Sequence, residues 1–140
     1  MSRVKLGFIS LPVSREYEPI REAIIDVLRS KGLAPAYVSD ERVREYSKSQ
    51  IREVIDMADI VIADISADHP TLLYELGYAN GSRVPVLAMS RLGSENTIPD
   101  DLAPAFQLVY DAHNLDEFRK RLELSLKVYL SEEVEVALSE

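Results

Sequence analysis

The chain has 140 residues, of which 46% are hydrophobic and 29% are charged, and it contains no cysteine. This length suffices for one domain with a hydrophobic core, and without cysteine neither a disulfide framework nor a thiolate metal site can form. The net charge of −8 disfavours binding to nucleic acid polymers, although a local basic patch would still allow a small anionic ligand.

The first apolar run, residues 4–9, predicts a strand and is too short for a signal-peptide core or a membrane span. We therefore expect a cytoplasmic protein that does not contact a membrane. A loop over residues 10–19 leads to a helix over 20–31, which has apolar residues at helical spacing and Gly32 as its stop. A second strand is expected over residues 33–38.

The rest of the chain continues to alternate between strands and helices. Further strands are expected over residues 59–63, 84–89 and 105–110, and further helices over residues 46–57, 71–80 and 115–130. The strand over 59–63 is almost entirely apolar, which indicates burial on both faces. Gly81 is expected to stop the third helix, and Asn114 to cap the last helix with Glu117 as its capping-box partner.

This alternation predicts an α/β fold, in which a parallel sheet carries helices on both faces. With right-handed crossovers, the small five-stranded solution has the strand order 2-1-3-4-5 and a switch point between strands 1 and 3. Ligands bind at such a point, so we expect residues 10–18 and 64–71 to form the crevice. Residues 1–130 are expected to form a single domain, followed by an acidic tail over 131–140 with four glutamates and no basic residue.

Two carboxylates fall in or beside this crevice. Asp64 ends the apolar strand, and Glu75 lies about one turn into the following helix, at the edge of its buried stripe and beside Tyr78. Such an arrangement makes them candidates for a catalytic pair. The structural alternatives stay open at this point: Glu75 as a solvated helix-surface residue, and Asp64 as a turn or cap residue.

The first loop offers candidate ligand-binding residues, namely Ser10, Ser14, Arg15 and Tyr17. A serine and an arginine close to a helix start can hold a phosphate or a carboxylate. The alternative is an ordinary solvated loop.

The acidic loop adds Ser66, Asp68 and His69 as candidate ligand contacts, and Tyr78 joins them from the helix. Ser66, Asp68 and His69 are too close in sequence to face one another as a catalytic triad. The alternative is that they only precede the helix, which has Pro70 in its first turn.

No cofactor or metal is expected. Neither GxGxxG nor GxxxxGK[ST] occurs, so Rossmann-type dinucleotide binding has no support in the sequence. The two histidines, His69 and His113, are far apart along the chain, which argues against a structural zinc site.

Residues 58–87, ADIVIADISADHPTLLYELGYANGSRVPVL, resemble the nucleoside 2-deoxyribosyltransferase-like superfamily. The segment resembles more closely the short prokaryotic TIR-like, nucleotide-binding branch, whose members carry the pattern ADLVIADLT…PNVFYELG…ALGKPVI. The segments LPVSREYEPIREAI and IPDDL are similar to other parts of that pattern. The resemblance implies a flavodoxin-like fold and a site for a nucleoside, a nucleotide or a related N-glycoside.

The resemblance also implies roles for the two carboxylates. In deoxyribosyltransferases and related nucleotide N-glycosidases, the glutamate at the position of Glu75 attacks the anomeric carbon of the sugar. The aspartate at the position of Asp64 contacts the ligand and assists the leaving base. The chain departs from the family at Thr71, where asparagine is usual, and at residues 11–13, which replace the glycine-rich first loop of the phosphate-binding N-glycosidases.

Three functions are therefore open. The first is cleavage or transfer of an N-glycosidic bond with a glutamate nucleophile, the second is a nucleotide-binding or sensing module without catalysis, and the third is a TIR-like domain that cleaves NAD. We expect a small-molecule ligand and a homodimer or higher homo-oligomer, because a neighbouring subunit completes the active site in deoxyribosyltransferases. Tyr110, Tyr129 and the acidic tail are candidates for that contact.

Overall fold

The computed structural model describes residues 5–38, 48–66, 72–94 and 106–130. In these ranges the strands are β1 (Leu6–Ser10), β2 (Ala34–Tyr37), β3 (Ile60–Asp64), β4 (Val86–Arg91) and β5 (Phe106–Tyr110). The helices are α1 (Glu18–Ser30), α2 (Lys48–Met57), α3 (Leu72–Gly81) and α4 (Leu115–Tyr129). A short 3-10 helix, Arg15–Tyr17, precedes α1.

The five strands form one parallel sheet in the order β2-β1-β3-β4-β5, which confirms the predicted α/β, flavodoxin-like fold and its strand order. β1 pairs with both β2 and β3, so the switch point lies between β1 and β3. Ser10 at the end of β1 pairs with Ala63, and Asp64 at the end of β3 pairs with Met89. The carboxyl ends of β1 and β3 therefore lie side by side, as the sequence predicts.

Each face of the sheet is covered by a hydrophobic core. The first core packs α1 and α4 against the sheet, and it includes Ile60, Ile62, Leu87, Met89 and Phe118. The second core packs α2 and α3 against the other face, and it includes Phe8, Val61, Ala63, Ile55 and Leu76. The strand residues divide in this way because successive side chains of a strand point to opposite faces.

Two strands extend further than the sequence pattern indicates. Ser10 was expected in the loop over 10–19 and Arg91 beyond the strand over 84–89, and each is the last residue of its strand. Asp64 ends β3, as the sequence predicts. Apolar runs mark only the part of a strand that faces a core, whereas backbone pairing continues through polar residues, as in the pairing of Arg91 with Tyr110. Similarly, α1 begins at Glu18, inside the expected loop, because Pro19 is tolerated in the first turn of a helix.

The turns confirm some local predictions and correct one. Gly32 follows α1 with a φ of 80°, as expected for the stop of a helix. Gly81 was expected to stop α3, but it is the last helical residue, and Arg83 instead takes the left-handed conformation with a φ of 62°. The predicted cap of α4 is confirmed, since the Asn114 side chain accepts a hydrogen bond from the Glu117 backbone N–H at 3.2 Å. The reciprocal bond of a capping box does not form, because the Asn114 backbone N–H donates to the Asp111 carbonyl and the Glu117 carboxylate accepts from the Asn114 side-chain amide.

Some expectations lie outside the described residues, among them the acidic tail over 131–140. Among the helices that the structure describes, none is long and apolar enough to cross a membrane.

Candidate functional site

The carboxylate of Glu75 lies inside the protein, next to the end of β1. Glu75 is in the first turn of α3, whose inward face also carries Leu72, Leu76 and Ala79. Its side chain has no exposed surface, and the hydroxyl of Ser10 donates a hydrogen bond of 2.6 Å to its Oε1 atom. Glu75 is therefore not a solvated surface residue; its carboxylate lies within the buried face of α3, beside the end of β1.

Asp64 is equally buried and accepts hydrogen bonds at both carboxylate oxygens. The backbone N–H of Ser66 donates to Oδ1 at 2.7 Å, and the hydroxyl of Tyr110 donates to Oδ2. An ionised carboxylate only accepts hydrogen bonds, so this environment suits Asp64 as a carboxylate and not as a proton donor. Burial, together with the charge of Asp64, raises the pKa of Tyr110 above its ordinary value, which keeps the phenol in its donating form.

Arg91 completes a polar cluster around Asp64. Its backbone N–H donates to the Ser66 hydroxyl, and its guanidinium lies over the ring of Tyr17, 4.7 Å from the ring centroid. Burial acts to lower the pKa of Arg91, but a hydrogen bond with Tyr110 and nearby negative charge raise it overall, so the side chain is a permanent cation. Burial first, and then the charge of Asp64, raise the pKa of Tyr17.

The two carboxylates lie on opposite faces of the sheet. Asp64 follows Ile60 and Ile62 in the alternation of β3, and these two residues belong to the first core. Ser10 shares a face with Phe8, which belongs to the second core, and it reaches Glu75 on that side. Glu75 and Asp64 can therefore act on one ligand only at the carboxyl edge of the sheet, where both faces meet.

The structure brings some of the predicted ligand-binding residues together and separates others. Ser10 lies with Glu75, whereas Ser66 and Tyr17 join the cluster of Asp64 and Arg91. Asp68 and His69 lie outside the described residues.

Ser14 and Arg15 line a surface groove of about 680 Å³ beside the start of α1. The groove is also lined by Arg21 and Tyr37, but neither Glu75 nor Asp64 borders it. Tyr78 donates its hydroxyl hydrogen to Asp56 of α2, so its described polar contact is with the neighbouring helix. The groups that can do chemistry are therefore the carboxylates of Glu75 and Asp64, which lie outside this groove.

Tyr110 and Arg91 are the residues that sequence reasoning misplaced or missed. Tyr110 was expected at a contact between subunits, but it is 2% exposed and bonded to Asp64 within the chain. Arg91 was expected to lie beyond the end of the strand over 84–89. Arg91 and Tyr110 end the adjacent strands β4 and β5, and their side chains lie on the same face of the sheet as Asp64. A prediction that ended β4 at residue 91 instead of residue 89 would have placed all three side chains on this face.

The described residues can supply a buried nucleophile, Glu75. At the same edge of the sheet they supply an anion, Asp64, together with a cation, Arg91. Within the described ranges, no group of three or more histidine, aspartate or glutamate residues could hold a metal ion. A carboxylate held by a serine hydroxyl suits nucleophilic attack on a carbon centre. The cluster of Asp64, Arg91 and Tyr110 suits recognition of a group that has both hydrogen-bond donors and acceptors.

Comparisons with known proteins show the fold. No family model and no curated protein matches the chain. A solved CMP N-glycosidase, BcmB from Clostridium botulinum, is similar with a TM-score of 0.64 and 17% identity over 85% of this chain and 99% of that chain. A 3-dehydroquinate dehydratase-like protein from Bifidobacterium longum has a TM-score of 0.51 and 10% identity over 93% and 100% of the two chains. A diflavin flavoprotein A3 from Nostoc sp. has a TM-score of 0.50 and 14% identity over 90% and 99%.

Proposed function

We propose that the protein cleaves the N-glycosidic bond of a nucleoside or nucleotide, by hydrolysis or transfer, with Glu75 as the nucleophile. The observation that carries this proposal is the buried Glu75 carboxylate, which Ser10 holds beside the switch point of the sheet. The similarity to the CMP N-glycosidase supports it at the level of the fold. The resemblance of residues 58–87 to the nucleoside 2-deoxyribosyltransferase-like superfamily supports the choice of residue.

The chemistry follows from a carboxylate nucleophile. An oxygen of Glu75 forms a bond with the anomeric carbon while the carbon–nitrogen bond breaks and its electron pair leaves with the base. The product is a glycosyl ester of Glu75. Water then attacks the anomeric carbon to complete hydrolysis, or a second base attacks it to complete transfer.

Ser10 and Asp64 have separate parts in this reaction. Ser10 orients Glu75 for attack on the sugar by donating a hydrogen bond to Oε1. Asp64, as a carboxylate, accepts a hydrogen bond from an N–H group of the base and so fixes the base at the edge of the sheet. Because neither side chain has exposed surface, the substrate has to displace the side chains that cover them.

A homodimer or higher oligomer is part of the proposal. Three apolar side chains on β5 and α4 are exposed, namely Val109, Leu124 and Val128 with 45%, 65% and 59% of their surface accessible. We propose that these side chains take part in a subunit contact, because contiguous exposed apolar surface marks such contacts. Sedimentation velocity at micromolar concentration tests this part, and a strictly monomeric protein would contradict it.

A second function, a nucleotide-binding module without catalysis, is favoured by one observation. Glu75 and Asp64 are both completely buried, which is the usual condition of carboxylates that stabilise a structure through hydrogen bonds. In this case a nucleotide would bind without contacting Glu75.

Release of the base, measured by chromatography, separates the two functions. The panel contains nucleosides, deoxynucleosides, their 5′-monophosphates and NAD, each with and without an acceptor base. We expect wild type to release a base and Glu75→Gln to be slower by about 1,000-fold or more, because the neutral amide is not a nucleophile. Glu53→Gln, which changes an exposed glutamate of α2, is the matched control and should keep full activity. Full activity of Glu75→Gln would exclude this nucleophile, and nucleotide binding without release would favour the binding module.

A further inference from the structure

The guanidinium of Arg91 has an unused edge inside the protein. Its Nε and Nη2 atoms are both buried and have no hydrogen-bond partner within the described part of the chain. These two nitrogens belong to the same edge of the planar group, so their N–H bonds point in nearly parallel directions. Such an edge matches two adjacent acceptor atoms, and buried donors are rarely left without a partner.

The surroundings of this edge define what it can bind. Arg91 follows Leu87 and Met89 in the alternation of β4, so it lies on the face of the first core together with Asp64 and Tyr110. The ring of Tyr17 covers one side of the guanidinium. The cluster therefore combines two donors of Arg91 with the carboxylate of Asp64, whose charge acts on Arg91.

We propose that Arg91 binds two adjacent acceptor atoms of the nucleobase and stabilises the negative charge that the base acquires as it leaves. This inference rests on the proposed N-glycosidic function. It names Arg91 as the residue that stabilises the leaving group of that reaction. Arg91 would be a catalytic residue, because it touches the departing base directly.

A base fits this cluster better than a phosphate does. A phosphate would bring a negative charge close to the carboxylate of Asp64, which has no proton to donate in this arrangement. A base such as cytosine or adenine has an amino group next to ring nitrogen or carbonyl acceptors. Asp64 can accept from the amino group while Arg91 donates to acceptors on the same base.

The step balances without a proton from Asp64. As Glu75 bonds to the anomeric carbon, the electron pair of the broken carbon–nitrogen bond moves to the base. The two N–H groups of Arg91 stabilise this pair electrostatically and keep their protons. The base takes its proton from water, either at the site or after release.

Binding to the inactive protein tests the recognition. In the Glu75→Gln background, isothermal titration calorimetry would measure the affinity of cytosine, uracil, adenine, hypoxanthine and inorganic phosphate. We expect at least one base to bind, and Arg91→Met to weaken that binding by about tenfold or more, because two charge-assisted hydrogen bonds are lost. Arg91→Lys should be nearly as weak, since lysine has the charge but not the paired edge. Arg29→Met, at an exposed position in the last turn of α1, should bind as Glu75→Gln alone does.

Three results would overturn the proposal: no binding of any base, equal affinity with and without Arg91, or binding of inorganic phosphate that depends on Arg91. Thermal melting shows whether each variant is folded. Arg91→Lys, which keeps the volume and charge of the side chain, remains available if Arg91→Met does not fold.

Turnover tests the charge stabilisation. Nicotinamide leaves its riboside as a neutral molecule, whereas the other bases leave with negative charge unless they are protonated. Arg91→Met should slow base release from the preferred nucleoside by about 100-fold or more in kcat but change nicotinamide release only slightly. Equal slowing of both substrates would overturn the electrostatic role. If wild type cleaves nothing and bases still bind through Arg91, the proposed reaction is wrong and the base-binding role of Arg91 stands.

Discussion

The hydroxyl of Ser10 donates a hydrogen bond of 2.6 Å to the carboxylate of Glu75, although the two residues are 65 positions apart in the chain. Both side chains are fully buried. The bond joins the end of β1 to the first turn of α3, and it fixes the direction in which the Glu75 carboxylate points.

Ser10→Ala is expected to lower kcat for base release by about 10- to 100-fold, because Glu75 loses the donor that orients it. KM should change little, since the proposed base contacts of Asp64 and Arg91 stay in place. Initial rates measured by chromatography test this. The control is Ser30→Ala, which removes a hydroxyl bonded to the Val27 carbonyl at the far end of α1 and should leave kcat unchanged. Wild-type kcat in Ser10→Ala would show that the bond does not orient the nucleophile.

Tyr110→Phe is expected to lower the free energy of unfolding by about 1–3 kcal/mol at pH 7, because Asp64 remains buried and loses a hydrogen-bond donor. Urea unfolding followed by circular dichroism measures the change. Tyr74→Phe removes a hydroxyl whose described partner is the exposed Arg52, and it should have a much smaller effect. Equal effects of the two substitutions would contradict the importance of the buried bond.

The stability difference between wild type and Tyr110→Phe is expected to depend on pH in the alkaline range. Burial raises the pKa of Tyr110 above its ordinary value of 10.0, so the folded chain keeps the phenol proton after the unfolded chain has lost it. The stabilisation is therefore complete below pH 10 and is lost as the pH rises from there toward the pKa of the folded state. We expect the difference in unfolding free energy between wild type and Tyr110→Phe to be constant up to about pH 9 and to shrink above it. A difference that grows with pH would refute this assignment.

Gly7→Ala is expected to destabilise the fold by about 1–3 kcal/mol, because a Cβ atom at this position of β1 would lie 2.8 Å from Cδ2 of Leu28. Leu28 is fully buried in the first core and has little space to move. Thermal and urea unfolding measure the loss. Gly81→Ala, where the added Cβ meets no atom within 4 Å, is the control and should be neutral or slightly stabilising. The opposite order of stability would contradict the close packing of β1 against α1.

Arg83→Gly is expected to raise the free energy of unfolding by up to about 1 kcal/mol, because Arg83 has a φ of 62° in a conformation that costs little for glycine. The flexibility of glycine in the unfolded chain reduces this gain. Arg29→Gly, in the last turn of α1, is the control and should be destabilising. A loss of stability in Arg83→Gly would show that the arginine side chain compensates for the strain.

Hydrophobic periodicity, together with the right-handed crossover rule, predicted the topology of the sheet. The strand that ends at Asp64 is almost entirely apolar because both of its faces are buried. The helix that contains Glu75 is apolar along the side that packs against the sheet. Because parallel strands bring their carboxyl ends to one edge, the sequence also predicts that Ser10 and Asp64 are neighbours.

The faces of the sheet were harder to predict than its order. A strand boundary that is wrong by one or two residues moves a terminal polar residue into a loop, and its direction is then lost. This happened to Arg91. Tyr110 was correctly placed in a strand but was a candidate for a subunit contact, whereas its side chain is buried. The pairing of Ser10 with Glu75 depends on a rotamer and a distance of 2.6 Å that no sequence pattern encodes.

The separation of Glu75 and Asp64 by the sheet has a consequence for how specificity can change. Residues that surround Arg91 and Tyr110 belong to the first core, whereas those that support Ser10 and Glu75 belong to the second. In the proposed reaction, substitutions in the first core, under α1 and α4, would alter which base is accepted while the Glu75 side of the sheet keeps its geometry. The proposed function would thus divide reactivity and selectivity between two structural compartments, each open to exchange in directed evolution without rebuilding the other.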